Sequence, residues 1–97
     1  MAKYALYVPL KAKAGKEADV EAFLKQGASM AQAEAGTVTW YALKESDGAY
    51  AVFDTFDDEA ARDAHLNGPI AKALMAKAAE LFSGPLQIHR IEIVANK

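Results

Sequence analysis

The feature that most constrains the fold is the order in which strand-like and helical segments follow one another along the 97-residue chain. Residues 4–10 combine aromatic, β-branched and aliphatic side chains and predict a first strand. From Lys16 the apolar residues recur at helical spacing, and we predict a first helix that ends near Gly36. The stripe of this helix consists of Val20, Phe23, Leu24, Gly27, Ala28 and Ala31.

Residues 37–44 and 49–56 predict a second and a third strand, joined by a tight turn at the Asp-Gly pair 47–48. Simple alternation predicts that neither face of this hairpin is polar. We expect one face to carry Val38, Trp40, Ala42, Ala51, Phe53 and Thr55, and the other Thr39, Tyr41, Leu43, Tyr50, Val52, Asp54 and Phe56. A sheet that is covered on one side normally has one polar face, so we expect a second copy of the chain to cover the remaining face.

The C-terminal half predicts two more helices and a last strand. The second helix should begin after an N-cap at Asp57 and end at Leu66, and the third should begin at Pro69. Residues 86–94 predict a strand with a bulge. The order β-α-β-β-α-α-β is that of the ferredoxin-like split βαβ fold of the α+β class, with helices on one face of an antiparallel sheet. The length fits a single domain, 1–97.

Composition limits the possible functions. The chain has no cysteine, which excludes thiolate nucleophiles and cysteine-based metal sites. Its net charge of −2 gives no basis for nucleic-acid binding, and it lacks an apolar stretch long enough to span a membrane. Its two histidines have no ligand-like spacing, and no glycine-rich nucleotide loop is present. We therefore expect a cytoplasmic protein that needs no metal, flavin or heme.

His65 is the candidate catalytic residue. It shares a helical stripe with Ala61, Ala64 and Gly68, and these small neighbours leave room for an imidazole to reach a cavity against the sheet. An unperturbed imidazole has a pKa of about 6.5, which suits a base or a hydrogen-bond partner of a substrate. The alternative is a core histidine that a backbone carbonyl satisfies.

Four residues of the hairpin are candidates for substrate binding. Trp40 and Phe53 are expected to be cross-strand neighbours and could form an aromatic wall, although a core aromatic pair requires the same residues. Asp54 is a carboxylate in the middle of a strand, expected beside Tyr41. It could accept a hydrogen bond from a tyrosine hydroxyl across a dimer interface, or act as a base with a raised pKa. Either Tyr41 or Asp54 could orient a substrate.

The segment from Phe53 to Pro69, FDTFDDEAARDAHLNGP, resembles the antibiotic biosynthesis monooxygenase domain family. Members of that family are similar in a strand that ends acidic-x-aromatic, a helix that ends Ala-His-Leu, and a further helix. The resemblance covers nearly the whole chain. It implies a homodimer of ferredoxin-like protomers whose sheets pack face to face, the dimeric α/β barrel.

The family includes cofactor-independent quinone-forming oxygenases, quinol monooxygenases and heme-degrading enzymes. His65 and Met75 stand where heme degraders have a tryptophan and a heme-ligating histidine, which disfavours heme cleavage. Quinol-type members often have Glu-x-Trp at the strand end and a second histidine, where this chain has Asp54-Thr55-Phe56 and Ile70. Of the family's site residues, His65 alone carries over unchanged.

The sequence thus favours a cofactor-independent monooxygenase that acts on a small aromatic or quinol-type substrate in an apolar pocket. Removal of a phenolic proton gives an anion that can pass an electron to oxygen, with His65 as the base. Two alternatives stay open. One is a non-catalytic, stress-associated dimer that binds a hydrophobic small molecule, and the other is an isomerase or lyase on the same scaffold.

Overall fold

The computed structural model describes residues 2–97 and confirms the expected order of elements. The four strands form one antiparallel sheet with the order β2-β3-β1-β4, which is the ferredoxin-like α+β topology. Among the described residues, no helix is both long and apolar enough to cross a bilayer. The elements are β1 (Tyr4–Lys11), α1 (Glu17–Ala31), β2 (Thr37–Ser46), β3 (Ala49–Phe56), α2 (Glu59–Leu66), α3 (Pro69–Leu81) and β4 (His89–Glu92).

The helices pack against one face of the sheet, and the core lies between them. Alternate residues of β1 point to this face, so Leu6, Val8 and Leu10 are buried. Val20 and Leu24 of α1 pack against them, because their spacing places both on one side of the helix. The core cluster consists of Val8, Leu10, Ala12, Val20, Leu24, Tyr50, Val52, Leu81 and Phe82.

The pairing of β2 with β3 differs from the expected register by one residue. Ser46 pairs with Ala49 across the tight turn, but Lys44 pairs with Tyr50, so Glu45 is an extra residue in β2. A slip of one residue moves side chains to the opposite face. From Lys44 to Thr39, β2 is therefore one residue out of step with the simple alternation that the sequence suggests, and a second shift follows between Thr39 and Thr37.

The predicted division of the hairpin into two faces is consequently wrong. Trp40 lies opposite Asp54, and Tyr41 lies opposite Phe53, so Trp40 and Phe53 are not cross-strand neighbours. Val52 and Asp54, expected on the face of Tyr41, lie on the side that the helices cover. The opposite side, which we call the open face, carries Thr39, Tyr41, Leu43, Ala51, Phe53 and Thr55. Tyr41 is 53% and Leu43 40% exposed, so the open face remains apolar and uncovered in the single chain.

Helix α1 is shorter than the sequence predicts. It ends at Ala31, well before Gly36, and Gly36 does not have the positive φ of a helix-terminating glycine. The reason for a glycine at this position is close packing, because a Cβ atom on Gly36 would lie 3.1 Å from the Cβ of Ala61. Residues 32–36 therefore form a turn that passes against α2.

Two further boundaries differ from expectation. The N-cap of α2 is Asp58 and not Asp57, since the Oδ1 atom of Asp58 accepts a 2.7 Å hydrogen bond from the backbone N–H of Ala61. The last strand, β4, covers only His89–Glu92 of the predicted 86–94. Helix α3 begins at Pro69, as expected.

Candidate active site

His65 lies in a buried cluster with two carboxylates. Its Nδ1 atom is 2.6 Å from Oε1 of Glu34, and its Nε2 atom is 2.9 Å from Oδ2 of Asp54. The side chains of His65 and Asp54 are only 7% and 1% exposed, and Phe56 packs beside the imidazole at 5.4 Å between ring centroids. We call Glu34, Asp54 and His65 the acid–imidazole cluster.

The early end of α1 brings Glu34 into this cluster. The Thr37 hydroxyl donates a 2.8 Å hydrogen bond to Oε1 of Glu34, the same oxygen that faces His65. Gly68 leaves room on the other side, since a Cβ there would lie 3.5 Å from Oε2 of Glu34. The small residues that flank His65 on α2 thus accommodate the turn 32–36 as well as the imidazole.

Burial and the neighbouring charges shift the pKa of His65 in opposite directions. Burial by itself lowers the pKa of His65, but hydrogen bonds and charge attraction from Asp54 and Glu34 outweigh it and raise the pKa above the ordinary value of 6.5. Burial also raises the pKa of Asp54 above 3.8, and the nearby charge of Glu34 adds to this, although His65 opposes it. Both groups therefore hold protons more tightly in the folded chain than in water.

A cavity of about 930 Å³ lies between the sheet and the helices, and Asp54 and His65 form part of its wall. Such a volume is within the usual range for small-molecule sites. Most of the remaining wall is apolar, and it includes Leu6, Val8, Phe23, Leu66, Ile70 and Leu74. The cavity therefore combines a largely apolar wall with the buried pair of Asp54 and His65, and Asp63, Lys77 and Arg90 also line it.

Two polar atoms at this cavity are buried without a hydrogen-bond partner among residues 2–97, namely Oδ1 of Asp54 and Nε1 of Trp40. Buried polar groups are normally paired, and an unpaired one requires an explanation. Trp40 faces Asp54 directly across the strand pair, and a Cβ on Gly27 would lie 3.1 Å from the Trp40 ring. Two residues that line one cavity thus carry an unpaired buried acceptor and an unpaired buried donor.

The structure brings three of the five predicted site residues together. His65, Asp54 and Trp40 all line the cavity. Tyr41 and Phe53 lie on the open face, away from the other three, because of the register shift in β2. The sequence prediction missed Glu34, whose partner His65 lies 31 residues away and gives no local spacing signal.

Within the part of the chain that the structure describes, no group of three or more histidine, cysteine or acidic residues has an arrangement that could hold a metal ion. In the acid–imidazole cluster both imidazole nitrogens face carboxylate oxygens, so their lone pairs do not converge on a common point.

The fold is that of a known class of proteins. The chain belongs to the antibiotic biosynthesis monooxygenase family, whose sequence model matches residues 4–77. That range includes all three members of the acid–imidazole cluster and the cavity residue Trp40. No curated protein matches the sequence.

Solved structures agree with this assignment. The chain is 52% identical to NE2512, a protein of unknown function from Nitrosomonas europaea, with a TM-score of 0.96 over 100% of this chain and 94% of the other. Rv0793 from Mycobacterium tuberculosis has the same fold, with 18% identity and a TM-score of 0.85 over 97% of each chain. PA3566 from Pseudomonas aeruginosa is also 18% identical, with a TM-score of 0.82 over 98% of this chain and 97% of that one.

Proposed function

We propose that the chain is a cofactor-independent monooxygenase that acts on a small phenol or quinol bound in the 930 Å³ cavity. Membership of the monooxygenase family supports the reaction class. The observation that carries the proposal is the buried Asp54, which lines a largely apolar cavity, has one carboxylate oxygen without a hydrogen-bond partner among the described residues, and contacts His65 through the other. A base with a raised pKa in a dry site is suited to removing a phenolic proton.

The chemistry requires no external reductant. A phenolate can pass one electron to O₂, and the resulting radical pair can combine at a ring carbon to give a peroxide. Loss of the hydrogen on that carbon together with the distal peroxide oxygen releases water and leaves a carbonyl. One oxygen atom enters the ring and the other becomes water, so a phenol and O₂ give a quinone and water. The substrate supplies all four electrons.

The residues of the cavity would serve distinct steps of this reaction. The acid–imidazole cluster takes the phenolic proton and returns it when water leaves. Trp40 has a free indole N–H, which we assign as donor to the substrate oxygen. The apolar wall holds the ring and keeps water from the peroxide. In this scheme Asp54 meets the substrate and His65 acts through it.

Oxygen uptake by the purified protein tests the proposal. The test measures O₂ consumption and quinone absorbance with naphthols, anthrones and hydroquinones, and it compares the wild type with Asp54→Asn. Asp47→Asn is the matched control, because Asp47 lies in the exposed turn of the hairpin. We expect uptake by the wild type and the control, and its loss in Asp54→Asn.

The same assay separates the alternatives. Trp40 is the single tryptophan, so a change in its fluorescence reports occupancy of the cavity. Fluorescence changes without oxygen uptake would indicate a binding protein. Exchange of substrate protons with solvent, again without uptake, would indicate an isomerase or lyase. Either result would contradict the monooxygenase proposal.

We also propose that the chain forms a homodimer through the open face. Tyr41 and Leu43 expose apolar surface there, and the helices cover only the opposite side of the sheet. A second copy would bury this surface on both partners at once, as a twofold interface does. Tyr41 and Phe53 would then be interface residues, and their predicted contact with substrate would have to come from the dimer.

A further inference from the structure

The geometry points to Glu34 as a positioning residue that keeps a proton on His65, so that Asp54 and not His65 accepts the proton of the substrate. The transfer of the substrate's proton to Asp54 rests on the proposed function. The protonation of His65 does not, because it is a property of the free protein and can be measured without any substrate.

The distances within the acid–imidazole cluster determine how many protons it holds. Glu34 lies 2.6 Å and Asp54 2.9 Å from the two nitrogens of one imidazole. At these distances each contact must contain a proton, because a bare nitrogen and an ionised carboxylate oxygen repel each other. The cluster therefore holds two protons among three groups and has one net negative charge.

The strength of the two hydrogen bonds indicates where those protons lie. A doubly protonated imidazolium between two carboxylates gives two charge-assisted hydrogen bonds, which are the strong kind. The Thr37 hydroxyl donates to the Glu34 oxygen that faces His65, and this holds that oxygen beside Nδ1 of the imidazole. Glu34 thereby stabilises the charged form of His65.

The other charged side chains of α2 do not compete for His65. Arg62 of α2 donates to the backbone carbonyls of Ala5 and Ile91, and Asp63 pairs with Arg90 at the surface. The carboxylates that contact His65 are thus Asp54 from β3 and Glu34 from the turn after α1.

The next question is which group of the cluster can accept a proton from a substrate in the cavity. Both nitrogens of His65 are engaged, so the imidazole has no free lone pair for a substrate proton. Asp54 lines the cavity and its buried Oδ1 atom has no hydrogen-bond partner among the described residues, while Glu34 is not part of the lining. The substrate O–H proton moves to Oδ1, and the cluster passes from one net negative charge to neutral. Glu34 acts only through His65.

The experiment is a nitrogen NMR titration of the histidine side chains in the full chain. Long-range ¹⁵N–¹H spectra show whether each ring nitrogen is protonated, and His89→Gln identifies the second histidine signal. We expect the titration midpoint of His65 in the wild type to lie above the ordinary value of about 6.5, with both ring nitrogens protonated below that midpoint. A midpoint at or below that ordinary value would overturn the inference.

Variants of Glu34 test its part directly. Glu34→Gln keeps the size and removes the charge, so the titration midpoint of His65 should fall. Glu34→Asp keeps the charge and should lower the titration midpoint of His65 less. This variant provides the test if Glu34→Gln does not fold. Glu80→Gln on the surface of α3 is the control and should leave the midpoint unchanged. An unchanged midpoint in a folded Glu34→Gln protein would also overturn the inference.

A kinetic measurement distinguishes this inference from the proposed function. In Glu34→Gln, kcat should fall roughly tenfold, the scale of one charge-assisted hydrogen bond, with a pH profile moved to lower pH and KM unchanged. If the wild type shows no oxygen uptake but His65 is doubly protonated, the proposed function fails and the assignment of Glu34 stands. If oxygen uptake occurs and His65 is neutral, the assignment of Glu34 fails and the proposed function stands.

Discussion

Trp40 of β2 and Asp54 of β3 are direct cross-strand partners on the face of the sheet that the helices cover. The residues that carry the buried donor and the buried acceptor are therefore held by backbone pairing between two strands and not by loops. A site on paired strands is held more rigidly than one on loops. This rigidity makes substitutions at the cavity interpretable, because the backbone around them should not move.

Substitution of His65 separates a functional from a structural role. We expect His65→Ala to lower turnover about 10²–10⁴-fold in a protein that stays folded, because Asp54 loses the group that stabilises its charge. Oxygen uptake and circular dichroism measure the two effects. If His65 only fills the core, His65→Leu should change the free energy of unfolding by about 1–2 kcal/mol and leave turnover nearly intact. Full activity in a folded His65→Ala protein would end the assignment.

Gly27 should determine how well Trp40 presents its indole N–H to a ligand. A methyl group at Gly27 would lie 3.1 and 3.2 Å from two ring carbons of Trp40, so the ring must shift. We expect Gly27→Ala to weaken ligand binding, read as a higher Kd from Trp40 fluorescence, while the helix itself gains stability from alanine. Ala22→Gly, at an exposed position of the same helix, is the control for helix propensity. Equal Kd values for Gly27→Ala and wild type would contradict the role of Trp40.

The stability of the fold should decline as the pH rises. Asp54 and Glu34 raise the pKa of His65 in the folded chain, against the burial that lowers it, so the folded state binds this proton more tightly than the unfolded state does. The resulting stabilisation is fully present below the ordinary value of 6.5 and is lost as the pH rises through the higher pKa of the folded chain. Urea unfolding of the wild type and of His65→Gln at a series of pH values measures the difference.

The sign of this dependence is specific to the cluster. The advantage of the wild type over His65→Gln should shrink from about pH 6.5 upward. His89→Gln removes the other histidine and should follow the wild-type curve at all pH values. An advantage that grows with pH would mean that His65 is neutral in the folded protein.

The open face should hold the dimer together. Leu43→Asp places a charge in the centre of the proposed interface, and an unpaired buried charge is costly, so we expect a folded monomer. Light scattering at micromolar concentration should give twice the chain mass for the wild type and the chain mass for the variant. Ala22→Asp on the surface of α1 should remain a dimer. A monomeric wild type would exclude the dimer.

The sequence was sufficient for the element order because the periodicity of each segment is local. The spacing of apolar residues predicts the strands and helices, and the Asp-Gly pair at 47–48 predicts the tight turn. It was not sufficient for register. The bulge at Glu45 has no local signature that separates it from a regular strand end, yet it places Trp40 instead of Tyr41 on the face of Asp54.

The candidate site was predictable to a similar extent. The small residues around His65 correctly indicated space beside the imidazole. They did not reveal that the turn 32–36 occupies part of it, because Gly36 meets Ala61 only after the chain has folded back. Glu34 was missed for the same reason, since the sequence predicts that residues 32–36 continue the first helix, which in fact ends at Ala31.

The central claim is that this cavity inserts one atom of molecular oxygen into a phenol without a cofactor. Mass spectrometry of the product formed under ¹⁸O₂, together with the amount of O₂ consumed, tests this claim most directly. We predict one ¹⁸O atom in each quinone, one quinone for each O₂ consumed, and no hydrogen peroxide, in protein freed of metals by chelation. A product without ¹⁸O, with hydrogen peroxide formed in equal amount, would contradict the claim.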